Sequence, residues 1–357
     1  MPDLSDYLRL LVDKRGSDLH VKVAQPPVIR IHGELITSDY PKFTPEDTER
    51  MAHEILPEKL LGELEEFGGA DFAHSIPGLG RFRVNVFRQR GSIGLVFRRV
   101  LPAPPVLDSL GVPDVLKRLA EEPRGLVLVT GPTGSGKTTT CAGMVNHINA
   151  TRACHVVTLE DPIEILHADK KALIDQREIG TDCESFSTGL RHAMRQDPDV
   201  IFLGEMRDPE TVWAALAASE TGHFVMSTLH TVDAAETVNR IIEFFPAHQQ
   251  MQVRNSLAGA LQGIVSQRLL TRKDRKGLVP AIEVLVNTRR VHDCIVKPDE
   301  TRYIPDIVAE GEFYGMQSFD QALMRLYQSD TVTLEDAMDA ATSPHDFQLT
   351  LKKAGVG

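Results

Sequence analysis

The segment Gly131-Pro132-Thr133-Gly134-Ser135-Gly136-Lys137-Thr138 constrains this chain more than any other stretch. It fits G-x-x-x-x-G-K-[ST], and its flanks supply the context that motif needs. Gly125 to Val129 (GLVLV) reads as a buried strand. Lys137 to Ile148 reads as a helix, with Cys141, Ala142, Met144, Val145 and Ile148 recurring at helical spacing. Strand, glycine-rich loop and helix N-terminus together cradle phosphate, because loop N–H groups and the helix dipole both face the anion. Lys137 is long enough to reach β- and γ-phosphates, and the Thr138 hydroxyl is placed to hold Mg²⁺. The candidate nucleotide-binding residues are Gly131, Thr133, Gly134, Ser135, Gly136, Lys137, Thr138 and Thr139. A nucleoside triphosphate, with Mg²⁺, is the expected ligand.

At 357 residues the chain predicts two or three domains. A formal net charge of −11, from 39 basic and 50 acidic residues, argues against wholesale wrapping of nucleic acid. No nucleic-acid partner is expected, although a local basic patch remains compatible. The first residues carry no basic n-region and no apolar h-region, so no secretory signal is expected. No apolar run approaches the ~20 residues that span a bilayer, so any membrane role is expected to go through a partner. Cys141, Cys154, Cys183 and Cys294 are too widely spaced for a tetracysteine zinc site and are expected to be reduced thiols of a cytoplasmic protein.

Residues 1–100 read as a mixed α/β domain. Leu4 to Val12 has helical periodicity, and Asp18 to Val23 and Val28 to His32 read as strands split by Gln25-Pro26-Pro27. Thr44 is the candidate N-cap of a helix opened by Pro45-Glu46-Asp47. Arg81 to Arg88 and Ser92 to Val100 read as a hairpin turning at Arg90-Gly91. Period two puts Phe82, Val84 and Val86 on one face of the first strand and Arg81, Arg83 and Asn85 on the other. Residues 101–112 form a linker, stiffened by Leu101-Pro102-Ala103-Pro104-Pro105. Residues 113–286 alternate strand candidates (Gly125–Val129, His155–Leu159, Val200–Gly204, Phe224–Thr228, Val279–Val286) with helices (Lys137–Ile148, Phe186–Arg195, Glu210–Ala218, Ala234–Phe244). That alternation predicts a largely parallel sheet with helices on its faces, an α/β fold. Residues 287–357 turn mainly helical, with Phe319–Tyr327 and Leu334–Ala341.

Three further segments carry chemistry. Asp197 to Glu205 (DPDVIFLGE) is an apolar strand ending in a carboxylate, the Walker B arrangement, which puts Glu205 beside the phosphate site. Thr158 to Glu164 (TLEDPIE) closes the strand after the P-loop helix, and Glu160, Asp161 and Glu164 are each candidates to orient the attacking water. Ser227 to Thr231 (STLHT) ends another strand, where Thr228 and His230 are placed to sense a γ-phosphate.

In this order and at these separations, GPTGSGKT, TLEDPIE, RQDPDVIFLGEMRDPET and ETGHFVMSTLHT resemble the Walker A, Asp box, Walker B and His box of the PilT/PilU type IV pilus retraction ATPases, in the secretion ATPase superfamily. GSDLHV, RFRVNVFRQR, FFP and GMQSFDQAL extend the resemblance over nearly the whole chain. It implies a PAS-like N-terminal domain, a RecA-like P-loop ATPase core and a helical C-terminal extension. Glu164 resembles the catalytic glutamate, Glu205 the Walker B acid that acts on Mg²⁺ directly or through water, and Thr228 and His230 the sensing pair. Arg81, Arg83 and Arg98 resemble arginines of the family's N-terminal domain, some of which reach the γ-phosphate, Arg83 and Arg98 being favoured; Arg195 and Arg207 flank Walker B and are alternatives. The resemblance also implies a homohexamer whose N-terminal domain packs on the neighbouring subunit, an inner-membrane platform partner and a cytoplasmic place at the inner face of the membrane.

One segment departs from the pattern. Where PilT-type motors carry an AIRNLIRE-like stretch, this chain has Val291-His292-Asp293-Cys294-Ile295-Val296-Lys297-Pro298. A PilU-like accessory motor working with a second retraction ATPase and a divergent PilT both fit. An assembly or type II secretion ATPase is disfavoured, since the longer N-terminal region and the cysteine-rich insert usual there are not seen. The acidic balance disfavours a DNA-translocating RecA-like ATPase.

Overall fold

The computed structural model describes residues 3–31, 33–101 and 103–353. The chain divides into two units, Met1–Ala103 with Pro162–Leu166, and Pro104–Asp161 with His167–Gly357. His32 at the end of an expected strand and Pro102 of the linker lie outside the described residues.

The first unit contains α1 (Leu4–Asp13), β1 (Asp18–Val21), β2 (Val28–Ile31), β3 (Glu34–Thr37), α2 (Pro45–Ile55), α3 (Leu61–Phe67), β4 (Gly69–Ile76), β5 (Gly80–Gln89) and β6 (Ser92–Arg99). Its six strands form one sheet in the order β3-β2-β1-β6-β5-β4, every neighbour antiparallel. Phe82, Val84 and Val86 of β5 and Leu95 and Phe97 of β6 share a core with Tyr7, Leu8 and Leu11 of α1 and Met51 of α2. Arg83 and Arg98 point away from that core and are exposed. Thr44 does cap α2: its hydroxyl accepts the Asp47 N–H at 3.3 Å while the Asp47 carboxylate accepts the Thr44 N–H at 2.8 Å. The β5–β6 turn has Arg90 at φ 49° and Gly91 at φ 79°, the paired positive φ that matches the twist of a hairpin. The sequence pattern did not reveal β3 or β4. β3 is exposed throughout and so carries no burial alternation, and β4 is only partly buried on either face.

The second unit contains α4 (Val115–Ala120), β7 (Gly125–Thr130), α5 (Lys137–Thr151), β8 (His155–Glu160), β9 (Leu173–Glu178), α6 (Phe186–Ala193), β10 (Val200–Leu203), α7 (Pro209–Glu220), β11 (Phe224–Leu229) and α8 (Ala234–Glu243). There follow α9 (Ala247–Ala260), β12 (Leu261–Thr271), β13 (Leu278–Val286), α10 (Arg289–Val296), α11 (Ile304–Glu310), α12 (Phe319–Gln328), α13 (Leu334–Ala340) and α14 (Pro344–Lys353). The sheet order is β13-β12-β7-β11-β10-β8-β9, parallel except for β13. Alternation along β7 divides the interior. Leu126 and Leu128 face a core shared with α6 to α11, while Val127 and Val129 face one shared with α4 and α5. Helices on both faces of a parallel sheet are what the strand–helix alternation predicts. α12, α13 and α14 pack on Leu270, Val279 and Ala281 of β12 and β13.

Strands β9 and β12 and helix α9 were not expected. β9 is an edge strand rich in polar residues, and β12 carries buried Ser266 and Gln267 that interrupt the apolar run. Among the described residues no helix is long and apolar enough to cross a membrane.

Candidate nucleotide site

Four loops meet at one edge of the parallel sheet because four neighbouring strands end there. The glycine-rich loop follows β7, Thr228 to Thr231 ends β11, Gly204 and Glu205 follow β10, and Glu160 and Asp161 close β8. The carboxyl edge of an open parallel sheet is where such folds bind ligands.

The loop itself is set by backbone geometry. Gly131 has φ 144°, and a Cβ there would lie 2.6 Å from Ser135 Oγ. Gly136, the N-cap of α5, has φ 89°, a left-handed conformation that side chains resist. Lys137 opens α5, and its Nζ donates to the carbonyls of Gly131 at 2.7 Å and Pro132 at 3.0 Å. The ammonium therefore lies across the mouth of its own loop. Ser135 is buried, and among the described residues its hydroxyl has no hydrogen-bond partner. Thr133, Gly134 and Thr139 are exposed, and Thr138 is half-buried. A positive side chain, an unsatisfied hydroxyl and helix-terminal N–H groups around glycines fit a polyphosphate.

Glu205 is the hub of the neighbouring strand ends. Its side chain is 14% exposed, one carboxylate oxygen pairs with Arg207, and Oε2 lies 3.6 Å from His230 Nε2. The hydrogen bond to Glu205 raises the Arg207 guanidinium above its ordinary pKa. Thr228 Oγ1 donates to the Gly204 carbonyl at 2.6 Å, and the Met206 N–H donates to the Thr228 carbonyl at 3.2 Å. Thr228 thus fixes the backbone of the Glu205 loop while His230 faces the carboxylate. Glu160 is buried, and its Oε1 accepts from Thr158 Oγ1 at 2.6 Å and Gln176 Nε2 at 3.0 Å, which ties it to the sheet.

The remaining candidates, apart from Arg195 of the second unit, belong to the first unit. Glu164 is exposed, in the Pro162–Leu166 segment held by the Leu101–Ile165 bridge; its carbonyl accepts the Leu101 N–H at 3.3 Å. Arg83 and Arg98 stand directly opposite each other on β5 and β6. The same cross-strand row continues to Asp18 on β1 and Arg30 on β2. Arg98 Nε donates to Asp18 Oδ1 at 2.8 Å, and Arg30 Nε lies 3.8 Å from Oδ2. Burial pushes the Asp18 carboxyl up, but hydrogen bonds from Arg98 and Ser17 outweigh it and hold the pKa below the ordinary value. Opposed like charges destabilise a sheet, and this row holds three guanidinium groups but one carboxylate, which pairs with Arg98 and Arg30, so the row is left positive and suited to an anion. Arg81 instead reaches Ser75 Oγ at 3.4 Å, and Arg195 is exposed just beyond α6. Asp18 and Gln176 were not singled out from the sequence. Their partners lie on other strands, and only the registers bring them together.

A family model for type II/IV secretion system proteins matches residues 108–312. The type IV pilus retraction ATPase PilT of Pseudomonas aeruginosa is 39% identical over 345 residues, 97% of this chain and 100% of that protein. The type IV pilus ATPase PilU of the same organism is also 39% identical, over 350 residues, 98% of this chain and 91% of that protein. A crystal structure of the pilus retraction motor PilT with bound ADP matches with a TM-score of 0.90 at 42% identity, covering 98% of this chain and 100% of that one. With sequence and fold alike over nearly the full length, the chain belongs to the type II/IV secretion system protein family, as an ATPase of the PilT and PilU kind.

Proposed function

We propose that the chain is a homohexameric motor that hydrolyses ATP to power type IV pilus retraction and hence twitching motility. The observation that carries the reading is the meeting of four motif-bearing strand ends at one sheet edge, with Glu205, Arg207 and His230 joined there. The loop from Gly131 to Thr139, with Lys137, holds the β- and γ-phosphates. Among the described residues no three His, Cys, Asp or Glu side chains gather as a metal cage. That suits Mg²⁺, which takes one or two protein oxygens together with substrate phosphates. Thr138 and Glu205, the latter directly or through water, would hold it, and when bound it neutralises phosphate charge. Glu164 orients the attacking water and accepts its proton. Thr228 and His230 report the γ-phosphate through the Glu205 loop. Arg83 and Arg98 serve the nucleotide of a neighbouring subunit, where the net positive charge of their row meets phosphate.

The division into an N-terminal domain (1–100), linker (101–112), ATPase core (113–286) and helical C-terminal region (287–357) goes with this reading, as do a cytoplasmic place at the inner face of the membrane and an inner-membrane platform partner. Deleting the gene and counting surface pili tests it: hyperpiliation is expected, and loss of pili would mean an assembly motor instead.

A PilU-like accessory role, alongside a second retraction ATPase, is the second reading. It rests on α10, which replaces the AIRNLIRE-like stretch. Val291 and Ile295 are fully buried and Val296 packs beside them, so the apolar side of the helix is core. The divergence in function would then lie on the other side, where Arg289 pairs with Asp293 at 3.1 Å and Arg290 with Glu310 at 2.6 Å. Expressing this chain alone in a strain lacking every other retraction ATPase separates the two readings: full retraction refutes the accessory role.

A further inference from the structure

We infer that Gln267 is a positioning residue that sets the phosphate loop from behind. It lies on β12, which runs parallel to β7 with Ser266 opposite Thr130. The side chain is 2% exposed, and both ends of its amide are used. Nε2 donates to the Ser135 carbonyl in the loop at 2.6 Å, and Oε1 accepts from Thr140 Oγ1 on the first turn of α5 at 2.8 Å. One residue earlier, Thr130 Oγ1 donates to Ser266 Oγ at 2.9 Å, at the point where β7 enters the loop. The contact is close on the backbone as well. A Cβ on Gly131 would lie 2.4 Å from the Gln267 carbonyl oxygen, and one on Gly136 would lie 2.7 Å from Gln267 Nε2.

Peptide planarity turns these bonds into a directional device. In a trans peptide the C=O and the following N–H point opposite ways. Holding the Ser135 carbonyl against Gln267 therefore aims the Gly136 N–H away from β12, toward the side on which the loop presents its donors. The second bond locks that peptide to α5, whose N-terminus supplies the next N–H groups. Gln267 thereby fixes loop and helix relative to each other before any ligand arrives, and preorganised donors lose less freedom on binding. Because the same N–H groups meet ground-state phosphate, the effect should fall on nucleotide affinity rather than on the chemical step.

The inference rests on the loop being a nucleotide site, which ADP binding by the wild-type chain checks independently. Gln267→Met keeps the length of the side chain and removes both bonds; Thr140→Val removes one. In the full-length chain, ADP affinity and steady-state ATPase kinetics are measured together with the melting temperature. Gln267→Met is expected to weaken ADP and raise KM for ATP on the order of tenfold, with kcat changed by less than about threefold. Thr140→Val should show a smaller shift in the same sense. The double variant should be no weaker than Gln267→Met alone, because both changes break one connection. Unchanged ADP affinity and KM in soluble, folded variants, whatever their melting temperature, would overturn the inference, and so would fully additive effects. If Gln267→Met does not fold, Thr140→Val decides: a raised KM supports the inference and an unchanged one overturns it. Wild-type chain that binds no ADP would instead defeat the reading of the loop.

Discussion

The two sheets of this chain are built on opposite plans. The antiparallel sheet of the first unit packs one face into its core and leaves the other partly open, so functional side chains can stand along the strands themselves. Arg83, Arg98, Asp18 and Arg30 form such a row across four strands. The parallel sheet of the second unit is buried on both faces, and β7, β10 and β11 are buried along their whole length. Its chemistry is confined to strand ends. Two buried carboxylates follow the same division. Asp18 lies beside guanidinium groups and is held in its charged form. Glu283 on β13 lies where burial dominates and, with a smaller push from Asp233, raises its pKa to about 7 against the lowering by the Ala234 N–H, Arg268 and the Phe319 backbone.

The largest test of this contrast is at the strand-end loop. Lys137→Ala should lower phosphate release on the order of a thousandfold, since the site loses the lysine that compensates phosphate charge. A purified variant with near-normal turnover would show that the parallel sheet does not work through this loop. Next, Glu164→Gln should retain ADP binding and lose hydrolysis by about a hundredfold or more. Normal turnover there, with loss in Glu160→Gln instead, would move the water-orienting role to the buried acid on β8.

The carboxylates give opposite pH signs. Glu283 binds its proton more tightly folded than unfolded, so its contribution to stability is complete below its ordinary value and is lost as pH rises from 4.5 to about 7. Relative to wild type, Glu283→Gln should stop that loss, a difference of about 3 kcal/mol across the window, read by denaturation at each pH. Asp18 acts in reverse, stabilising above its ordinary value and losing that contribution as pH falls. If Glu283→Gln leaves the slope unchanged, burial is not what governs that carboxyl.

The smallest effect separates fold from function on the open sheet face. Removing Arg83 relieves a like-charge pair, so Arg83→Ala should leave stability unchanged or raise it by a few tenths of a kcal/mol, seen as a steady or slightly higher Tm. Its ATPase activity should nevertheless fall. Mixed rings of Arg83→Ala and Lys137→Ala subunits should recover part of it if Arg83 acts on a neighbour's nucleotide. A clear drop in Tm would mean that the row is held together by Arg83 rather than strained by it.

Local chemistry was enough to read the loop, the Thr44 cap and the Arg90-Gly91 turn. Each depends on residues within a few positions: glycines that accept positive φ, a hydroxyl reaching a nearby N–H, a motif between a strand and a helix. The parallel core was legible for the same reason, since strands buried on both faces read as apolar runs. Only the tertiary structure decided the rest. β12 escaped notice because its buried Ser266 and Gln267 look like surface residues until β7, Ser135 and Thr140 supply their partners. Asp18 gained its meaning from strands β2 and β6, and Glu205 from Arg207 and the loop that carries His230. Except for Arg207, these partners lie on other strands, loops or helices, and sequence spacing carries no record of which side chains a strand register will set face to face.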